Sequence, residues 1–298
     1  MTMQKNCILA LDAGGTFLKA GLFDRNGALL PFSSDREPVN SDGTLCEVHN
    51  AYSALIGRMK TSAGVFGYRI AGASVDIPGP FDYRNGISRM RHKYTAIYGV
   101  SLIPWFRELL GDIHLLFLHD SAAFLSGVAQ QHPECRNIAG VMIGTGLGFA
   151  LMRDGSILSD ENGSPLISLY RCPFRDGIAE DYISARGILR RYNAVASEQL
   201  QSGKEIGDLA ERGTEPAKSI YAETGDLLGE LLCPILKEFR TEALYLGGQI
   251  SKSFPVFEKP LSGRLSSVPT LCFIEAAKDI DSVHLNGAAM AYLNQFSL

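Results

Sequence analysis

Apolar residues recur along this chain in two rhythms. Short β-branched or apolar runs fall at residues 7–11, 69–75, 114–118, 138–143 and 242–246, the length and composition of strands. Between them lie longer stretches with apolar positions three and four apart. In 44–60 these are Val48, Tyr52, Leu55 and Met59, one face of a helix. Residues 121–131, 177–193, 217–240 and 283–296 are read as helices too, and 197–214 as a helix with loops. Strands alternating with helices predict an α/β architecture.

The strongest organisational signal is a weak internal repeat. Residues 7–30 read CILALDAGGTFLKAGLFDRNGALL, and residues 140–158 read GVMIGTGLGFALMRDGSIL. Each has an apolar run, a glycine-rich turn with a threonine, and a second apolar run. Each then carries a hairpin-closing dipeptide, Asn26-Gly27 or Asp154-Gly155. Two such units, about 130 residues apart, predict two related lobes, each built on a sheet with a glycine turn at one end.

Both turns suit phosphate. In the first, Asp12 is followed by Gly14, Gly15 and Thr16, with Lys19 and Gly21 beyond. Glycine lets the backbone approach a phosphate closely, and successive N–H groups form an anion-binding concavity. Thr16 adds a hydroxyl donor. Asp12 is placed to hold Mg²⁺ through water, because that ion keeps much of its hydration shell. The second turn, Gly144, Thr145 and Gly146, has the same chemistry without the acid. A third glycine pair, Gly247 and Gly248, ends a strand-like run, where α/β folds admit nucleotides. A plain hairpin or β-to-α turn would explain each of these singly.

Composition narrows the class. The chain has 298 residues, 46% apolar and 20% charged, which fits two ordinary globular domains. A net charge of -4 supplies no basic field for nucleic acid or an anionic membrane. No run approaches the ~18 apolar residues of a membrane span, and residues 1–6 lack signal-peptide architecture. The six cysteines are scattered without a C-x-x-C pair, so reduced thiols and a cytoplasmic location are expected, with no zinc.

Taken together, these segments resemble the ROK family of sugar kinases over nearly the whole chain. ILALDAGGTFLKAGLF looks like its first phosphate motif, and IGTGLGFALMRDG like its second. VDIPGPFDYRNGI is similar to its Pro-Gly-Pro loop, with Pro78 and Gly79 near the sugar. LHDSAAFLSGVA is similar to the segment bearing the catalytic aspartate, which falls on Asp120. GIAEDYISARGI places Glu180 at a sugar-contacting position, and YLGGQIS matches the adenosine-side glycines. The family's zinc-site histidine and cysteine cluster is absent, and residues 156–176 read SILSDENGSPLISLYRCPFRD in its place. The family's asparagine before the catalytic aspartate is His119 here, and its sugar-binding asparagine falls near Lys93.

The resemblance implies a two-lobed actin-like ATPase fold of the ribonuclease H type, with duplicated domains around a central cleft. Lobe one is expected over residues 1–118 and 284–298, lobe two over 119–283. It further implies ATP and Mg²⁺, a sugar acceptor, and a homodimer as partner state. Asp120 would take the proton of the attacking hydroxyl. A helix N-cap is the local alternative for Asp120, and a first-turn acid for Glu180. Asp76 and Asp82 read as turn-forming acids. His119 reads as a packing or hydrogen-bonding residue rather than a second base, and the resemblance places it with Pro78, Gly79, Asp120 and Glu180 at the sugar site. The cluster Arg84, Arg89, Arg91, His92 and Lys93 is either a solvated loop or a site for an anionic acceptor. Two rival functions share the fold: a non-catalytic sugar sensor and an acceptor-independent ATPase or scaffold. A helix-turn-helix is not expected, because the first phosphate motif begins at residue 8.

Overall fold

A computed structural model describes residues 4–279 and 282–296. Met1–Met3, part of the N-terminal segment read above, lie outside the described residues. Strands β1 (Lys5–Ala13), β2 (Phe17–Phe23) and β3 (Leu29–Pro38) form an antiparallel meander. Helix α1 (Leu45–Val65) starts at a capping box. The Thr44 hydroxyl accepts the Glu47 N–H, and the Glu47 carboxylate accepts the Thr44 N–H at 2.7 Å. Its buried face holds Val48, Tyr52, Leu55 and Met59, the stripe expected from the spacing. Strand β4 (Tyr68–Asp76) returns parallel to β1. A small hairpin of β5 (Phe81–Asp82) and β6 (Ile87–Ser88), then α2 (Ile103–Leu110), lead to β7 (His114–Leu118), parallel to β4. Helix α3 (Asp120–Val128) follows at once.

The second half repeats this plan. Strands β8 (Asn137–Ile143), β9 (Leu147–Arg153) and β10 (Ser156–Ile157) form another antiparallel meander. A short ribbon of β11 (Pro173–Phe174) and β12 (Gly177–Ile178) precedes α4 (Ala179–Ile183), α5 (Ala185–Val195), α6 (Gly203–Glu211) and α7 (Ala217–Phe239). Then come β13 (Ala243–Gly247), α8 (Phe254–Leu265), β14 (Phe273–Ala276) and α9 (Val283–Gln295). The two five-stranded sheets run β3-β2-β1-β4-β7 and β10-β9-β8-β13-β14, with the same sense at each corresponding pairing. Duplication is thus visible in topology as well as in the turns.

Contacts divide the chain into two compact units. Unit one is Met1–Gly127, Ser159–Pro165 and Asp281–Leu298; unit two is Val128–Leu158 and Leu166–Ile280. Asp120, just past the expected division at 118, falls in unit one with β7 and α3. Helix α9 packs on β1 and β4 of that unit. The close seat needs glycine: a Cβ on Gly72 would overlap the Tyr292 ring, and one on Gly287 would overlap the Ala123 carbonyl of α3.

Residues 177–193, expected as a single helix, are not one. They open as strand β12, and the helix breaks at Ser184, which is extended (φ -69, ψ 166). Its hydroxyl accepts the Gly187 N–H at 3.2 Å and caps a new helix, a local bond that competes with helix continuation. Helices α2 and α8 were not anticipated. Helix α2 spans only eight residues, and Pro260 lies inside α8, where proline usually ends a helical pattern.

The core of unit one holds an untaken hydrogen bond. Tyr52 is fully buried, and its hydroxyl has no partner among the described residues. A buried, unpaired hydroxyl costs about 1–3 kcal/mol. Tyr52→Phe is therefore expected to leave stability unchanged or raise it by roughly 1 kcal/mol, read from urea unfolding midpoints. A clear loss would show that the hydroxyl is bonded in solution.

Candidate active site

Three parallel strands of unit one stop at the same level. Asp12 at the end of β1 pairs in register with Asp76 at the end of β4, and Asp76 with Leu118 of β7. His119 and Asp120 come next. Three carboxylates therefore share one sheet edge, the carboxyl ends of parallel strands, where α/β folds admit ligands.

Asp120 is the first residue of α3, and its side chain is about one-third exposed. Its Oδ1 lies 2.7 Å from His119 Nδ1 and accepts the Ser121 N–H at 2.8 Å. Burial alone would raise its pKa. The charge and hydrogen bond of His119 outweigh that, with His284 and Lys93 adding, and hold the carboxyl well below the usual carboxylate range. His119 is pushed down by burial and up more strongly by Asp120, with a net rise. The Pro-Gly-Pro loop seats it: a Cβ on Gly79 would lie 3.3 Å from the His119 ring and 3.2 Å from the Tyr83 hydroxyl. Pro78 and Gly79 are half-buried beside this contact.

Asp76 is not the turn acid read from its place beside Pro78. It ends β4, is 1% exposed, and its Oδ2 lies 2.7 Å from His284 Nδ1. Burial drives its carboxyl up to about 7, against the pull of His284. His284 is raised to about 9: burial opposes the charge, and Asp76 prevails by charge and hydrogen bond. Between those values the pair is ionised. Lys93 is half-buried, its ammonium disfavoured by burial and favoured by Asp120 and Asp76, with a net lowering. Its neighbour Tyr94 donates to the Gly14 carbonyl at 2.5 Å, tying this loop to the glycine turn.

The glycine turn itself is open. Gly14 N–H donates to the Phe17 carbonyl at 3.0 Å, while the N–H groups of Gly15 and Thr16 donate to no acceptor among the described residues. Both residues are exposed. Asp12 is raised, by burial first, against His284 and Lys19, whose Nζ is 4.0 Å from Asp12 Oδ2. A hard carboxylate oxygen, 22% exposed beside free backbone N–H groups, fits a water-mediated Mg²⁺.

Unit two carries the matching turn. Gly144 N–H donates to the Gly146 carbonyl at 3.0 Å, and Thr145 is exposed at the tip. Gly248, at φ +82, lies so close to the Ile143 backbone that a Cβ would clash, so Gly247 and Gly248 end β13 against the strand that feeds this turn. Glu180 braces it. Its Oε2 accepts the Leu147 N–H at 3.2 Å, and its Oε1 lies 2.5 Å from Arg186. Arg186 is 71% exposed, and the Glu180 carboxylate keeps further acceptor lone pairs beside these two contacts.

The cationic cluster divides. Arg91 covers the Tyr98 ring at 4.6 Å and bonds its hydroxyl at 3.0 Å, on the surface. Asp82 is held by Asn85 within the same loop. Lys93 differs from these in that its charge acts on Asp120. Sequence reading missed the Asp76–His284 pair and Tyr94. Nothing local marks a histidine in a terminal helix as the partner of an acid 208 residues earlier.

Comparison with known proteins agrees in kind. The family model described as ROK family matches residues 8–294. A glucokinase of Thermotoga maritima is 25% identical over 289 residues, 87% of each chain. An N-acetylmannosamine kinase of Salmonella arizonae is 24% identical over 260 residues, covering 81% of this chain and 82% of that one. A crystal structure of a ROK family glucokinase from Streptomyces griseus, in complex with glucose and AMPPNP, superposes with a TM-score of 0.72 at 18% identity, covering 95% of this chain and 98% of that one. The fold is the α/β, actin-like ATPase type.

Proposed function

The chain belongs to the ROK family, and from that premise we propose that it transfers the terminal phosphoryl group of ATP to a hydroxyl of a sugar. A hexose or N-acetylhexosamine is the acceptor class, supported by the relatives named glucokinase and N-acetylmannosamine kinase. The observation that carries the reading is Asp120: a carboxylate held ionised by His119, partly exposed, on the same sheet edge as Asp12 and the open Gly14–Thr16 turn.

Asp120 accepts the hydroxyl proton as the sugar oxygen bonds to the γ-phosphorus and the bond to the β-phosphate oxygen breaks, releasing ADP. His119 holds the base in place and ionised. Pro78 and Gly79 form the wall behind it. Gly14, Gly15, Thr16 and Lys19 bind phosphate in unit one, as Gly144, Thr145, Gly146, Gly247 and Gly248 do for the nucleotide in unit two. Asp12 would hold Mg²⁺, which when bound neutralises phosphate charge.

The test is ADP release from MgATP with glucose, mannose, N-acetylglucosamine and N-acetylmannosamine, with Asp120→Asn as control. Sugar-dependent release that the variant loses is the expected result. Release without sugar would mean an ATPase. Thermal stabilisation by a sugar without turnover would mean a sensor.

A further inference from the structure

The Asp76–His284 pair has no part in the reaction just outlined. It joins the end of β4 to the first turn of α9, and α9 packs on β1 and β4. It is a poor device for stability. A buried ion pair recovers its desolvation cost only when its remaining lone pairs are satisfied. Asp76 Oδ1 is buried and has no partner among the described residues. The charged groups around the pair are Asp12 on β1 and Asp120 at the head of α3, which act on it directly, Lys93 and His119, which feel Asp76, and Lys19 on β2, which stands beside Asp12.

Three carboxylates thus lie where a triphosphate must arrive. Like charges so placed repel the nucleotide unless fixed cations offset them. Lys19 and Lys93 sit on flexible stems. His284 carries its ring on a short stem, is 16% exposed at the side chain, and is held 2.7 Å from Asp76.

We propose that His284, clamped by Asp76, supplies a fixed positive charge to the phosphoryl-transfer site, offsetting the negative charge of the nucleotide beside Asp12 and Asp120. The inference rests on the kinase reading above. His284 is a positioning residue here: it acts through its field on Asp12 and Asp120.

The experiment compares wild type, His284→Asn and Asp76→Asn by steady-state kinetics between about pH 6 and pH 10. Asparagine keeps a donor near the Nδ1 position and removes the charge. His284→Asn is expected to lower kcat/KM for MgATP roughly tenfold to a hundredfold, with the acceptor KM within about twofold. In wild type the His284 charge is complete below its raised pKa and lost as pH rises through about 9, so activity falls on that alkaline limb. Asp76→Asn removes the group that raises it, and the limb moves to lower pH. A purely structural pair would lower stability and leave the limb where it is. Wild-type kcat/KM for MgATP in His284→Asn, or an unmoved limb in Asp76→Asn, overturns the inference while the kinase reading stands. A wild type that phosphorylates no sugar overturns the kinase reading. The ¹⁵N resonances of the His284 ring in wild type then decide the inference by themselves, as they also do if a variant fails to fold. A shift on adding MgAMPPNP supports it, and none overturns it.

Discussion

Asp120→Asn is expected to lower kcat about a thousandfold while both KM values stay within about threefold. Asparagine matches aspartate in shape, so the acceptor keeps its seat against the Pro-Gly-Pro loop. What is lost is the place for the hydroxyl proton. The carboxylate suits that role because His119 keeps it ionised across the physiological range. His119 will respond as well. Burial already works against its charge, and Asp120 is what raises it, so the variant imidazole loses its proton at lower pH. A variant keeping more than about a tenth of wild-type kcat would remove Asp120 from the role of base.

Gly287→Ala is expected to destabilise unit one by about 3 kcal/mol, at the upper end for an overpacked core. The methyl group would meet the Ala123 carbonyl and lie near the Gly127 N–H, which is backbone on the facing helix and has no rotamer to change. Either α9 lifts off β1 and β4 or α3 shifts. A thermal midpoint lower by roughly 6–12 °C measures this. Activity should fall with it, since α3 starts at Asp120 and α9 carries His284. Gly263→Ala in α8 is the control. Nothing lies within 4 Å of its Cβ position, so the same change should be neutral or stabilising by up to about 1 kcal/mol. Equal stability of the two variants would show that α3 and α9 do not meet this closely at Gly287.

Local patterns made much of this legible beforehand. The glycine turns, the hairpins that follow them and the stripe of α1 each depend on residues a few positions apart. Such neighbours interact in any conformation the chain samples, so their spacing carries the information. The helical pattern at 177–193 misled for the converse reason. Its apolar rhythm is real, but at the break the Ala185 N–H donates to the Gly144 carbonyl of the distant glycine turn at 2.8 Å, a partner that only the fold supplies, and Ser184 caps the helix that restarts there. Helix α2 spans only eight residues, too short for a clear period, and Pro260 interrupts the pattern of α8.

The sequence by itself determined the two phosphate-type turns, their duplication, the α/β order of elements and Asp120 as the candidate base. The turns, their duplication and the order of elements follow from backbone freedom at glycine and from periodicity, which are local, and Asp120 follows from the resemblance of its segment to that of the ROK family. Only the tertiary structure decided the electrostatics. Parallel pairing brought Asp12, Asp76 and Asp120 to one edge, and the return of α9 placed His284 on Asp76. A carboxylate's charge state is set by what stands within a few ångströms, and here those neighbours come from distant parts of the chain.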